Sequence, residues 1–363
     1  EVEYLPDDEI ISDRLLDQRG LTRPEISVML SYAKIWLYDQ IMASNLPDDP
    51  YLFDDLVAYF PTPLQKKYKP EISQHRLCRE IIATRATNSL VDRAGDTFVF
   101  EFMEKTGLGA EMIARAYVIT REAFDLRKLW AAIEALDNKV ASTTQLDMLK
   151  NIHRLMEWVV LWFLRNGEKD LDLQKNIEAY REGVQELVLG INLALPEHYA
   201  ADVAAGARVY QDQGVPKKLA LEVVGLVNVY SACDVVRLAA RRKTNVIAVA
   251  RVYFMVGSRF RLGRLRAAAG ILDSDSHWQQ LAVAALIEEI YAHQLALTNQ
   301  VIDGVGLKGD VSEAVESWIG ANAALVEPTE QLLSELWASE VNDLSMIAVA
   351  SRQFRAMIEG CKM

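Results

Sequence analysis

The chain has 363 residues, of which 51% are hydrophobic and 25% charged, and it carries a formal net charge of -12 at pH 7. That length can bury a sizeable core and exceeds one ordinary domain, and the apolar share excludes wholesale disorder. The acidic balance works against nucleic acid and anionic membranes as partners, unless one face is locally basic.

The pattern reads as helical from end to end. Thr22-Arg23-Pro24-Glu25 is a capping box, in which the Thr22 hydroxyl accepts from the Glu25 amide and the Glu25 carboxylate reaches back. Pro24 suits the first turn, where its missing donor is not needed. Leu21 and Ile26 have hydrophobic-staple spacing. Ile26, Met29, Leu30, Tyr32, Ala33, Trp36 and Leu37 then recur at helical intervals, which predicts one apolar stripe. Residues 45–50 form a turn cluster, and the proline-containing stretch 61–70 predicts a short irregular connection. A long helix is expected over 71–93, with Gly95 in the left-handed position that ends it and Asp96 placed to cap the next. Gly107-Leu108-Gly109 breaks the chain again. Helix then covers 110–137, with a break near Asp125.

Three long helices are predicted over 143–165, 171–195 and 216–242. Asn166-Gly167, Pro196 and Gly214-Val215-Pro216 mark their ends. Further helices fall at 245–259 and 276–302, and the last stretch, 310–363, divides near Glu327-Pro328. Alternating apolar runs bounded by turn residues are nearly absent, and no repeat of constant period stands out. The expected fold is therefore all-α, a multi-helix bundle in two or more packed sub-bundles with no substantial sheet. Its expected divisions are an N-terminal helical lobe (1–138), a long-helix bundle (139–303), and a linker with C-terminal helices (304–363).

Cys78, Cys233 and Cys361 are odd in number, far apart and without a C-x-x-C pair. They fit thiols in a reducing cytosol better than a disulfide framework. The first residue is Glu1 and no basic-then-apolar leader follows, so a piece of a longer polypeptide is expected. The longest uncharged apolar run, 158–164 between Glu157 and Arg165, is too short to cross a bilayer. A soluble, cytoplasmic protein is expected.

Four groups of residues invite a chemical reading. Gly304-Val305-Gly306-Leu307-Lys308-Gly309 matches the dinucleotide-loop pattern, and Glu327 follows at a suitable distance. That loop works only when a buried strand feeds it, so that helix-terminal amides meet the pyrophosphate. A helical pattern precedes it here (Trp278, Leu281, Ala285, Ile287, Ile290, Tyr291, Leu295), and Asp303 would repel a diphosphate. A linker between helices is the better reading. Glu289 and His293 lie one turn apart beside Glu288, but no histidine has a glutamate three positions before it, and no H-E-x-x-H occurs. No metal is expected, and His75, His153 and His277 read as cap or surface groups. Arg259, Arg261, Arg264 and Arg266 surround Phe260, preceded by Arg241-Arg242-Lys243. Pairing with the chain's own carboxylates is preferred there over an anion site. Asn88, Asp92 and Arg93 either form a polar network between helices or meet another part of a longer chain, and the sequence does not separate these. G-x-S-x-G and G-x-x-x-x-G-K-[ST] are absent.

The stretch from Thr87 to Asn138 carries the one specific resemblance. It runs through Thr87-Asn88-Ser89-Leu90-Val91-Asp92-Arg93-Ala94-Gly95-Asp96-Thr97-Phe98, Arg115-Ala116-Tyr117, Arg121-Glu122-Ala123-Phe124-Asp125-Leu126, Leu129-Trp130 and Ile133-Glu134-Ala135-Leu136-Asp137-Asn138. With Leu21-Thr22-Arg23-Pro24-Glu25, Tyr32-Ala33-Lys34-Ile35, Trp162-Phe163-Leu164-Arg165-Asn166 and Leu295-Ala296-Leu297-Thr298, it resembles the helical C-terminal region of the large bacterial NAD-dependent glutamate dehydrogenases. The resemblance covers roughly residues 21–302 and fades beyond Gly304. It implies a parent that oxidatively deaminates L-glutamate to 2-oxoglutarate and ammonia with NAD. The nucleotide fold and catalytic lysine would then lie upstream of Glu1. No catalytic, cofactor-binding or metal residue transfers to this chain, and no cofactor is expected in it. The implied partners are the upstream catalytic domain and further copies in a homo-oligomer, without nucleic acid or membrane. An independent helical scaffold that binds another protein is the alternative.

Overall fold

A computed structural model describes residues 5–272, 276–307, 309–339 and 343–361. Among these residues there are twenty α-helices, three 3-10 turns and no strand, so the fold is all-α. The chain forms two compact units, Glu1–Ala135 with Gln145–Arg181, and Leu136–Thr144 with Glu182–Met363.

The first unit begins with α1 (Asp8–Leu16) and α2 (Arg23–Met42). The capping box at Thr22 and Glu25 forms, and Arg14 pairs with the Glu25 carboxylate at 2.8 Å. The buried face of α2 is narrower than the predicted stripe: Ala33, Leu37 and Ile41 are buried, whereas Ile26 and Tyr32 are exposed. Trp36 is half-buried, packed on Phe100 with ring centroids 4.5 Å apart. The turn cluster becomes two 3-10 turns, Leu46–Asp48 and Pro50–Leu52, followed by α3 (Phe53–Tyr59). The irregular connection is in fact two short helices, α4 (Thr62–Lys67) and α5 (Lys69–Ser73), each with proline in its first turn, where it is tolerated.

The helix expected over 71–93 is broken. α6 (Cys78–Ala94) starts only after a turn in which Leu77 N–H donates to His75 Nδ1 at 3.2 Å, a local bond that competes with helix continuation. Gly95, at φ 100°, ends α6 as expected. The cap residue of α7 (Phe98–Thr106) is Thr97 rather than Asp96. Gly107 is left-handed at φ 70°, α8 spans Ala110–Ala123, and Asp125 at φ 53° turns the chain into α9 (Leu126–Glu134). α10 (Ser142–Asn166) and α11 (Leu173–Ala194) are shared between the units, and both fall where the sequence places them.

The second unit continues with α12 (Glu197–Asp212), which the sequence reading leaves unassigned. The helix expected over 216–242 is divided into α13 (Lys217–Gly225), a 3-10 turn (Leu226–Val229) and α14 (Ala232–Arg242), with a 69° bend. Gly225 stands at the break, and a residue without a side chain gives the helix little reason to persist there. α15 (Val246–Arg259) starts with Asn245 accepting from the Ala248 amide at 3.1 Å, and a second unassigned helix, α16 (Leu262–Gly270), follows Arg261 at φ 53°. α17 (His277–Val305) has a Ser276 capping box. It is long and apolar enough over Trp278–Val305 to cross a membrane by length and composition, a feature that the longest uncharged run does not reveal. In this fold two of its buried polar side chains have protein partners: Gln294 donates to the Tyr253 carbonyl at 2.8 Å, and His293 meets Ser351 at 3.0 Å. α18 (Val311–Ala321), α19 (Ala323–Ala338) and α20 (Leu344–Gly360) complete the chain. The division falls at Asn322 and not at Pro328, which lies inside α19.

A repeat appears that the sequence reading does not find. α7–α10 and α14–α17 share order and corner geometry, and α8 and α9 match α15 and α16 in length. The left-handed corners Gly107 and Lys243, and again Asp125 and Arg261, are each 136 positions apart. At the same offset Arg115-Ala116-Tyr117 meets Arg251-Val252-Tyr253, and Phe124-Asp125-Leu126 meets Phe260-Arg261-Leu262. Before these helices, α2 packs on α6 in the first unit and α12 packs on α13 in the second. The turns and helices between Met42 and Cys78 are an insertion with no counterpart between α12 and α13.

Candidate functional site

The insertion and the second corner of the first unit together build a charged cleft. Asp49 caps the Pro50–Leu52 turn by accepting from the Tyr51 amide at 3.0 Å, which places Tyr51 and then α3 over the end of α8. Asp55 of α3 is buried, and Arg121 of α8 has only 2% of its side chain exposed. Arg121 donates to Asp55 at 3.0 Å and to Glu122 at 2.8 Å, and Arg127 donates to the same two carboxylates at 2.6 and 2.9 Å. The four side chains close an ionic ring in which each charge has two partners, the condition under which burying them is tolerable. Burial raises the Asp55 carboxyl, but the Arg121 and Arg127 charges outweigh this and hold it below its ordinary 3.8. Beneath the ring, Tyr117 donates to the Ser89 carbonyl at 2.7 Å.

The ring forms one wall of a cleft of about 630 Å³, which α11 also borders with Gln174, Glu178 and Arg181. Beside it, Arg115 bridges Asn45 at 2.6 Å, Asp49 at 3.1 Å and Glu111 at 3.0 Å, so the insertion is tied to α8 at two arginines. The ring has no copy in the second unit. At the 136-residue offset, Arg121, Glu122 and Arg127 correspond to Gly257, Ser258 and Gly263. A Cβ on Gly257 would meet the Gln294 amide, and one on Gly263 would stand 3.2 Å from the Tyr199 hydroxyl.

The other singled-out groups take structural positions. Gly304 is the penultimate residue of α17, and a Cβ there would lie 3.1 Å from the Trp318 ring; Gly306 at φ 83° ends the helix, and Lys308 lies outside the described residues. Asp303 pairs with Arg242 at 2.7 Å. Glu289 accepts from Ser351 at 2.7 Å and pairs with Arg355. Among the described residues no three His, Cys, Asp or Glu side chains gather to hold a metal. Arg259 pairs with Glu316 and Glu330 at 2.7 and 2.6 Å. Arg264 and Arg266 instead lie 4.1 Å from the Trp337 and Tyr291 ring centroids. His153 bonds the Ala94 carbonyl at 2.9 Å at the end of α6, while the side chain of His277 lies outside the described residues. Asp92 and Arg93 part company, Asp92 pairing with Lys34 and Arg93 with Glu134. The Asp55 ring is not legible in the sequence, because Asp55 lies 66 and 72 residues from the two arginines. Arg121, Glu122 and Arg127, flanking a corner, are the only local trace.

The profile of the family described as "Glutamate dehydrogenase, C-terminal" matches residues 18–356. The chain belongs to that family. The match runs well beyond Gly304, where the resemblance read from the sequence fades. An NAD-specific glutamate dehydrogenase of Halomonas elongata is 33% identical over 99% of this chain, and one of Pseudomonas aeruginosa is 34% identical over 97%. The Mycobacterium tuberculosis NAD-specific glutamate dehydrogenase is 31% identical over 98%. The chain spans 22% of the length of each of these curated relatives. Their name implies NAD, and the residues described here do not fit it. The glycine run follows a helix where a dinucleotide loop requires a strand, and its first glycine is packed on Trp318.

Proposed function

We propose that this chain is the non-catalytic helical portion of an NAD-dependent glutamate dehydrogenase. The parent converts L-glutamate, NAD and water to 2-oxoglutarate, ammonia and NADH; this portion packs on the upstream catalytic part and serves assembly or regulation. The observation that carries the reading is the match over residues 18–356, joined to relatives of which this chain is 22%. The parent is a cytoplasmic homo-oligomer in this reading, without nucleic acid or membrane partners. Three free cysteines and the net charge of -12 support that placement.

The test is an activity assay of this chain and its upstream neighbour, separately and mixed. NADH formation from L-glutamate is expected from the upstream part or the mixture and not from this chain alone. Turnover by this chain unaided would overturn the proposal.

A further inference from the structure

The cleft of the first unit has chemistry left over once the ionic ring is closed. Asp55, Glu122, Arg121 and Arg127 satisfy one another. Across from them, Arg181 is half-buried and makes no ion pair within the described residues. A guanidinium held at a cleft wall without a carboxylate is poised for an oxyanion, which it grips with two parallel N–H donors. Tyr51 adds a hydroxyl within the field of Arg181, Arg121 and Arg127; partial burial and then the Glu122 charge push that hydroxyl above its ordinary pKa, so it stays protonated and can donate. On the same rim Glu178 is exposed and holds one bond, accepted from Gln174 at 2.8 Å. Asp54 pairs only loosely with Lys69 at 3.5 Å and is 89% exposed.

Both signs therefore face one cavity. A bare anion that met Arg181 would feel Glu178 and Asp54, and a bare cation that met those carboxylates would feel Arg181 and Arg127. A molecule carrying a carboxylate beside an ammonium answers both at once. We infer that the cleft between the inserted α3 segment and α11 binds a zwitterionic amino acid, its carboxylate on Arg181 and Tyr51 and its ammonium toward Glu178 and Asp54. The repeat supports a dedicated structure. The second unit lacks the insertion and has Gly257 and Gly263 at the positions of Arg121 and Arg127, so the cleft is not a consequence of the repeated helices alone.

The test is isothermal titration calorimetry of this chain with L-glutamine, a zwitterion without further charge. Sodium acetate and methylammonium chloride at equal ionic strength serve as single-charge controls. Saturable L-glutamine binding is expected, at least tenfold tighter than either control. Arg181→Gln is expected to weaken it at least tenfold, with an unchanged melting temperature, because Arg181 supports no ion pair. Glu178→Gln is expected to weaken L-glutamine but not acetate. Three results would overturn the inference: no saturable heat with L-glutamine, unchanged affinity in Arg181→Gln, or acetate binding as tightly as L-glutamine, which would mark a plain anion site.

Discussion

At the residue scale, the Asp55–Arg121 pair is where one change has the largest expected effect. Arg121→Met leaves a buried carboxylate with half its compensation, so a loss of about 3–5 kcal/mol is expected in urea unfolding of this chain. A loss below ~1 kcal/mol would show that Arg127 alone suffices. Acid stability follows from the same logic. The Arg14 hydrogen bond, then the bonds from the Thr22 backbone and hydroxyl, lower Glu25 from 4.5 to about 2, and Asp55 is also lowered. A folded-state pKa below the unfolded one gives stability that is fully present above the unfolded value and is lost as pH falls through the folded one. Stability is therefore expected to decline from pH 4.5 toward about 2. Glu25→Ala should flatten that limb in melts taken across the range. The capping box behind Glu25 is legible in four consecutive residues. Arg14 and Asp55 are not, because their partners are 11 and 66 residues away.

At the element scale, helix starts, left-handed ends and the breaks at His75 and Gly225 follow local chemistry, while the persistence of α19 follows packing. Thr22 caps where expected, Asn245 and Ser276 cap the helices that were expected to begin at them, and Gly95 and Gly107 terminate where expected. Pro328 defies its local rule: it sits in α19 although its ring removes a donor and crowds the preceding turn. Thr329, Leu333 and Leu336 are buried around it, and that burial holds the helix together. Pro328→Ala is thus expected to raise stability by about 1–3 kcal/mol, read by thermal melting. Close approach is the second element-scale feature. A Cβ on Gly183 would stand 2.8 and 3.0 Å from the two Val236 methyls, and a β-branched valine in a helix has little rotamer freedom to retreat. Gly183→Ala is expected to cost about 1–3 kcal/mol by overpacking, with Gly225→Ala, which meets nothing within 4 Å, as the control.

At the scale of the whole molecule, the repeated helices give each unit the same frame, and the insertion gives the first unit its charged cleft. The family match runs over residues 18–356, and the chain spans 22% of the length of its curated relatives. Removing the region from the parent is expected to damage assembly or solubility, seen as a changed oligomer by light scattering. An intact, fully active truncated oligomer would refute that role.

By itself the sequence determined the helical class, most helix positions, the Thr22 capping box and the family, since each rests on residues within a few turns of one another. Only the tertiary structure decided the survival of α19 through Pro328, the correspondence of the two sets of helices as copies, and the ring around Asp55. The reason is physical. Caps and corners are local hydrogen-bond problems, solved within four or five residues. Which charge is buried, and what repays its lost water, depends on groups that meet only after the chain has folded.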